Sequence, residues 1–210
     1  RIIVPHAGAR AWLEAVLALP AEDQPTAAWA RALTGRAGIL ARIGRHAEAI
    51  NWAEVGLEAA RRTRDPRALG HAHFILGMAL LGEGNESSAM QHLDAAAAVS
   101  GSGGEPYWEA IGLPFVARVH ERGGRFDEAR TAFARSIALF RTADNLWGLA
   151  RALAAQAGFE LRRGERERAR SLALEALATH RTLGSVWLEG ECFETLAAVM
   201  LTEGRPRAAA

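Results

Sequence analysis

The residues able to do chemistry are few and dispersed. His71 and His73 stand two positions apart. On a helix that spacing turns side chains about 200° from each other, so the two cannot grip one metal ion from one face. His46 and Glu48 have acid–base character but read as turn and surface residues. The run Arg162 to Arg170, Arg-Arg-Gly-Glu-Arg-Glu-Arg-Ala-Arg, carries enough charge to hold phosphate, but its interleaved glutamates read as a solvated helix start paired with itself. No Gly-rich loop ending in Lys-Ser/Thr, no His-Glu-x-x-His and no Gly-x-Ser-x-Gly occurs. All 25 basic residues are arginine, which removes lysine-dependent phosphate loops and Schiff-base chemistry from these residues. The single cysteine, Cys192, excludes an internal disulfide; with Leu188 and Leu196 one helical turn to either side, it is expected to be a buried, inert thiol. The expectation is a protein that is not an enzyme and uses no metal and no cofactor.

Charge and hydropathy narrow the partners. With 25 basic against 24 acidic residues, the chain offers no footprint for nucleic acid or an anionic membrane surface. No apolar run approaches the roughly 18 residues that cross a bilayer. Arg1 to Arg10 lack the layout of a signal peptide, and a cytoplasmic protein is expected. The chain begins without methionine and stops at Ala210 inside an expected helix, so it reads as a piece of something longer.

The elements that must position any site come from a repeat. Gly44, Gly84, Gly124, Gly164 and Gly204 recur every 40 residues, each followed five positions later by Ala49, Ala89, Ala129, Ala169 or Ala209. Seven positions before each glycine stands Ala37, Gly77, Ala117, Ala157 or Ala197. Each unit reads helix, tight turn, helix, loop. First helices are expected over 27–43, 66–82, 106–122, 146–162 and 186–202, and second helices over 46–62, 86–99, 126–142 and 166–182. A partial helix is expected over 5–19, a linker over 20–25 and a helical stub after Pro206. The glycines end first helices in a left-handed conformation. Asn85 and Ser185 are candidate caps, and Pro66 and Pro106 open helices. Phe126, Ala129, Phe133, Ile137 and Phe140 mark a packing face. Tyr107, Trp147 and Trp187 are expected to wedge between units. Pro114 inside a first helix and the loop Ser100 to Gly104 mark the third unit as the place of irregular curvature.

These columns resemble the tetratricopeptide repeat (TPR), and Leu76-Gly77, Leu80, Gly84, Ala89 and Ala96 match it best locally. The departures are the 40-residue period, against about 34 in that family, and an aromatic after the turn glycine only at Phe126. HEAT units share the longer period and stay a rival. The resemblance implies an all-α, right-handed alpha-alpha superhelix, a TPR-like solenoid of antiparallel helix pairs. It forms a single repeat domain over 1–210, with units 1–25 (partial), 26–65, 66–105, 106–145, 146–185 and 186–210 (partial). Gly8-Ala-Arg-Ala-Trp-Leu-Glu14, Phe140-Arg-Thr-Ala-Asp-Asn-Leu-Trp-Gly148 and His180-Arg-Thr-Leu-Gly-Ser-Val-Trp187 further resemble the repeat region of large bacterial regulators of the maltose-activator kind. Those regulators join a signal-transducing ATPase, such an array and often a LuxR-type DNA-binding domain.

In the resembling family the first helices line a concave, ligand-binding face. Carried over, that face holds Arg31, Thr34, Gly38 and Arg42, then His71, Phe74 and Met78, then Arg118, Glu121 and Arg122, then Arg151, Gly158 and Arg162, then Glu191 and Glu194. The arginines suit carboxylates or phosphates in bidentate contact, and Phe74 with Met78 would supply an apolar pocket. The expected function is to bind a protein, a peptide or a small effector, as the sensing or interaction segment of a transcriptional regulator whose partners include neighbouring ATPase or DNA-binding domains. The alternative is an oligomerisation scaffold without ligand.

Overall fold

The structure, a computed structural model of the chain, describes residues 26–101, 106–184 and 189–202. Among these residues the secondary structure is entirely helical: α1 (Ala27–Arg42), α2 (His46–Thr63), α3 (Pro66–Glu83), α4 (Glu86–Gly101), α5 (Tyr107–Arg122), α6 (Phe126–Thr142), α7 (Leu146–Arg162), α8 (Arg166–Thr182) and α9 (Glu189–Thr202). The expected helix over 5–19, the linker over 20–25, the Ser185 cap, Trp187 and the stub after Pro206 lie outside the described residues. The expected loop from Ser100 starts later, because α4 runs on to Gly101.

The turn glycines do what their spacing implies. Gly44, Gly84, Gly124 and Gly164 have φ of 81°, 92°, 73° and 80°, the left-handed region that a Cβ disfavours. Around Gly84 the glycine N–H donates to the Leu81 carbonyl at 3.2 Å and the Asn85 N–H to the Leu80 carbonyl at 2.9 Å. That double bond satisfies carbonyls the helix end would leave orphaned. Helix starts are capped by Thr26 on the Trp29 N–H, Asp65 on Arg67, Asn85 on Ser88 and Asn145 on Gly148, at 2.9–3.2 Å. A second left-handed column, at Arg64 (φ 55°), Asp144 (φ 49°) and Gly184 (φ 63°), ends the second helices and was not visible in a glycine pattern, since two of its members are not glycine.

The chain divides into two compact units, Arg1–Phe115 and Val116–Ala210. The division falls one residue beyond Pro114, and α5 continues through that proline. In the first unit α1 packs on α2 and α3, α2 on α3, and α3 on α4; in the second α6 packs on α7, α7 on α8 and α9, and α8 on α9. Within each unit consecutive helices thus pack on one another, the local architecture of a helical solenoid. Ala49, Ala89, Ala129 and Ala169 are fully buried, as are Ala37, Ala117 and Ala157, which lets paired backbones approach. At Gly77 a Cβ would sit 2.9 Å from Leu93, inside contact distance. Leu57, Ile137 and Leu177, which share one register position, are buried, and Cys192 is buried as expected.

Candidate binding surface on the first helices

In the first unit the carried-over face closes on itself. Phe74 is 6% exposed, with its ring 5.5 Å from Phe115 and 6.2 Å from Trp108, so it belongs to the core and offers no surface pocket. Met78 is half-buried against Leu40, Ala41, Ala49 and Ala79. Gly38 is closed off by Ile75, whose methyl lies 3.1 Å from where a Cβ would stand. Thr34 is fully buried; its hydroxyl donates to the Ala30 carbonyl at 3.0 Å and meets His71 Nδ1 at 2.8 Å. A neutral imidazole with its proton on Nδ1 satisfies both groups. Burial, then the charge of Arg31, lowers the His71 pKa from 6.5 to about 4, which keeps the ring neutral. Arg31 itself pairs with Asp65 at 3.3 Å. His71 is thus a satisfied packing residue beneath Trp108, its ring 5.3 Å from the indole.

Trp108, which the spacing did not single out, is the wedge of this unit. Its indole lies so close over Gly70 that a Cβ there would meet it at 2.3 Å. Tyr107 only supports it edge-on, 5.0 Å away. Trp147 is 39% exposed, with the Arg151 guanidinium 4.8 Å from its ring, so it lies at the surface and not as the expected wedge.

In the second unit the same face is open and charged. Arg118, Glu121 and Arg122 stand on the last turns of α5, and Arg162 ends α7. Arg162 lies across Gly158, its Nη1 3.4 Å from where a Cβ would be, and grips Glu121 with two bonds of 2.8 and 2.9 Å. This fork geometry holds one guanidinium against one carboxylate. Arg118 feels burial first, then the like charges of Arg122 and Arg162, all lowering its pKa, with Glu121 as the opposing carboxylate. Four of the carried-over residues are therefore brought together here, with more guanidinium than carboxylate around Arg118. Arg42 and Glu194 are exposed elsewhere on their helices, and the side chain of Glu191 lies outside the described residues.

The charged run Arg162 to Arg170 is not simply paired with itself. Arg170 does bond Glu167 at 3.3 Å, but Arg163 covers the Phe126 ring at 3.6 Å and Arg168 reaches Glu160 at 3.2 Å. Glu160 is fully buried, and Arg130 binds it at 2.9 Å from α6. A buried carboxylate requires such partners, and here they tie α6, α7 and α8 together. Register alone did not mark it, since the column of Glu160 holds Leu40, Leu80, His120 and Met200.

The fold and the surface define an all-α helical-repeat protein with a charged first-helix face. No family model matches the chain, and no curated protein matches it. Among solved structures it is similar to the crystal structure of BtubC (BKLC) from P. vanneervenii, at 19% sequence identity and a TM-score of 0.71, over 97% of this chain and 84% of that one. At that identity the likeness carries the fold alone. Among the described residues no helix is long and apolar enough to cross a membrane.

Proposed function

We propose that this chain is a TPR-like, non-enzymatic protein-binding module whose second unit docks an acidic peptide segment of a partner protein. The observation that carries it is the gathering of Arg122, Arg162 and the Glu121 carboxylate around Arg118. Guanidinium groups suit carboxylates because their fork matches the two oxygens, and a site with surplus positive charge draws an anionic ligand from solution. The setting is that of the sensing or interaction segment of a cytoplasmic bacterial transcriptional regulator, with ATPase or DNA-binding domains as neighbours. Occupancy would act on them by favouring one of two states.

The test is an anisotropy titration with a glutamate-rich peptide, compared with its glutamine counterpart. Arg118→Ala and Arg122→Ala should each weaken binding roughly tenfold, about 1.4 kcal/mol for one charge-assisted contact. Unchanged affinity in both variants discards the docking face. The second reading, an oligomerisation scaffold, is favoured by the exposed Phe193 (48%) and Leu201 (57%) on α9. Sedimentation of the same samples separates the two, since a scaffold self-associates without peptide.

A further inference from the structure

His73 does not face His71 but meets His92, from α4 of the same repeat. Their Nδ1 atoms are 3.0 Å apart, with ring centroids 5.2 Å apart and both rings half-buried. Their register makes the pairing conspicuous. The His73 column otherwise holds Leu33, Leu113, Leu153 and Phe193, and the His92 column holds Trp52, Ala132 and Leu172. Two apolar columns have thus become histidine in one repeat, and there the two side chains touch.

As an isolated pair, one ring must donate and the other accept across this gap. Both nitrogens can instead present lone pairs if each ring carries its proton on Nε2. Two nitrogens about 2.0–2.1 Å from a metal lie about 2.9 Å apart at a 90° bite and about 3.3 Å apart at the tetrahedral angle. The observed 3.0 Å fits the right-angled bite, which Cu2+ and Ni2+ adopt in tetragonal N,O sites. The surrounding charges are mixed: Glu54 favours a cation beside His92, while Arg61 opposes one. Arg61 is more than half exposed and engaged with Glu58 at 3.7 Å.

We infer that His73 and His92 form a two-histidine site for a divalent cation of the Cu2+ or Ni2+ kind, clipping α3 to α4. Among the described residues no group of three or more His, Cys, Asp and Glu side chains is set to hold a metal. The remaining coordination positions therefore belong to water or to a donor from a docked partner, and the ion is held exchangeably.

The test uses the chain as it stands and Cu2+, Ni2+ and Zn2+ as probes. Calorimetric titration should give one favoured Cu2+ equivalent, with Ni2+ ahead of Zn2+. The Cu2+ complex should show two coupled nitrogens by electron paramagnetic resonance, and the thermal midpoint should rise. His73→Leu and His92→Leu import the residue found in the same columns of other repeats, so circular dichroism should show them folded. His92→Gln serves as a second variant if the leucine perturbs packing. Losing a ligand should cost at least the roughly tenfold that removing an outer-shell partner costs. Variants that bind Cu2+ as tightly as the parent, Zn2+ bound ahead of Ni2+, or a midpoint that Cu2+ lowers by binding the unfolded chain, would overturn the site.

Discussion

The first-helix faces of the two units obey one register and end in opposite chemistry. In the first, Gly38, Phe74 and Met78 turn into packing, Trp108 lies on Gly70, and the one ionisable group drawn in, His71, is held neutral. In the second, the column of Gly38 and Met78 holds Arg118 and Gly158, and Arg162 reaches over that glycine to Glu121. A repeat thus specifies where a side chain starts from. Whether it faces solvent depends on which neighbour is large enough to cover it, and for His71 and Phe74 that neighbour is Trp108.

The sharpest way to break the comparison is to cut an equal-sized hole in each face. Phe74→Ala removes a ring that touches Trp108 and Phe115, and should cost about 3–5 kcal/mol in urea unfolding. Arg162→Ala should cost less than about 1 kcal/mol, because the arginine of this ion pair is 58% exposed. Equal losses at the two positions would erase the distinction between a sealed and an open face.

Acidification should find the sealed unit next. The His71 ring faces the Thr34 hydroxyl and Arg31 on α1 and Trp108 on α5, with Asp65 beyond Arg31. Its pKa is lowered, so between about 6.5 and about 4 the unfolded chain binds a proton that the folded one refuses. Stability is therefore complete above the unfolded value and falls as pH drops through that window, by about 1.4 kcal/mol per pH unit. His73 shifts the same way through burial, His92 and Arg61, with a smaller effect because solvent screens it more. Unfolding free energies from urea titrations at pH 7 and pH 4.5 should differ by about 2 kcal/mol or more, and His71→Asn should flatten the slope even if it lowers the plateau.

Much of this was legible in the sequence, for reasons that also mark the limit. Helix ends came within a few residues because glycine, proline and the capping side chains act locally, as Gly84 and Asp65 show. The second left-handed column was missed because Arg64 and Asp144 stand where a glycine would have marked it. On the surface, Arg118, Glu121, Arg122 and Arg162 were found by register, whereas Phe74 and His71 were misplaced because exposure depends on Trp108, 34 residues beyond Phe74. Glu160 escaped notice because its column mixes Leu40 and Leu80 with His120 and Met200. Its partners Arg130 and Arg168 lie on two other helices, and only tertiary structure brings them to it.

The gentlest change sharpens the comparison most, because it alters charge without altering shape. Glu121→Gln keeps an acceptor and a similar volume but deletes the carboxylate that Arg162 grips at 2.8 and 2.9 Å. An ion pair with one half-exposed arginine contributes within about 1 kcal/mol, so unfolding should scarcely move. Arg162, and Arg118 beside it, would then meet an incoming acid without Glu121 as a competing carboxylate. Affinity for the glutamate-rich peptide should rise several-fold at low salt and fall more steeply as salt is added, since exposed charges are screened within about 10 Å at 0.1 M. The sealed unit should be indifferent: Asp65→Asn, which removes the carboxylate paired with Arg31, should leave peptide affinity where it was. An identical salt slope in Glu121→Gln and the parent would mean that these arginines do not meet the peptide, however close together they stand.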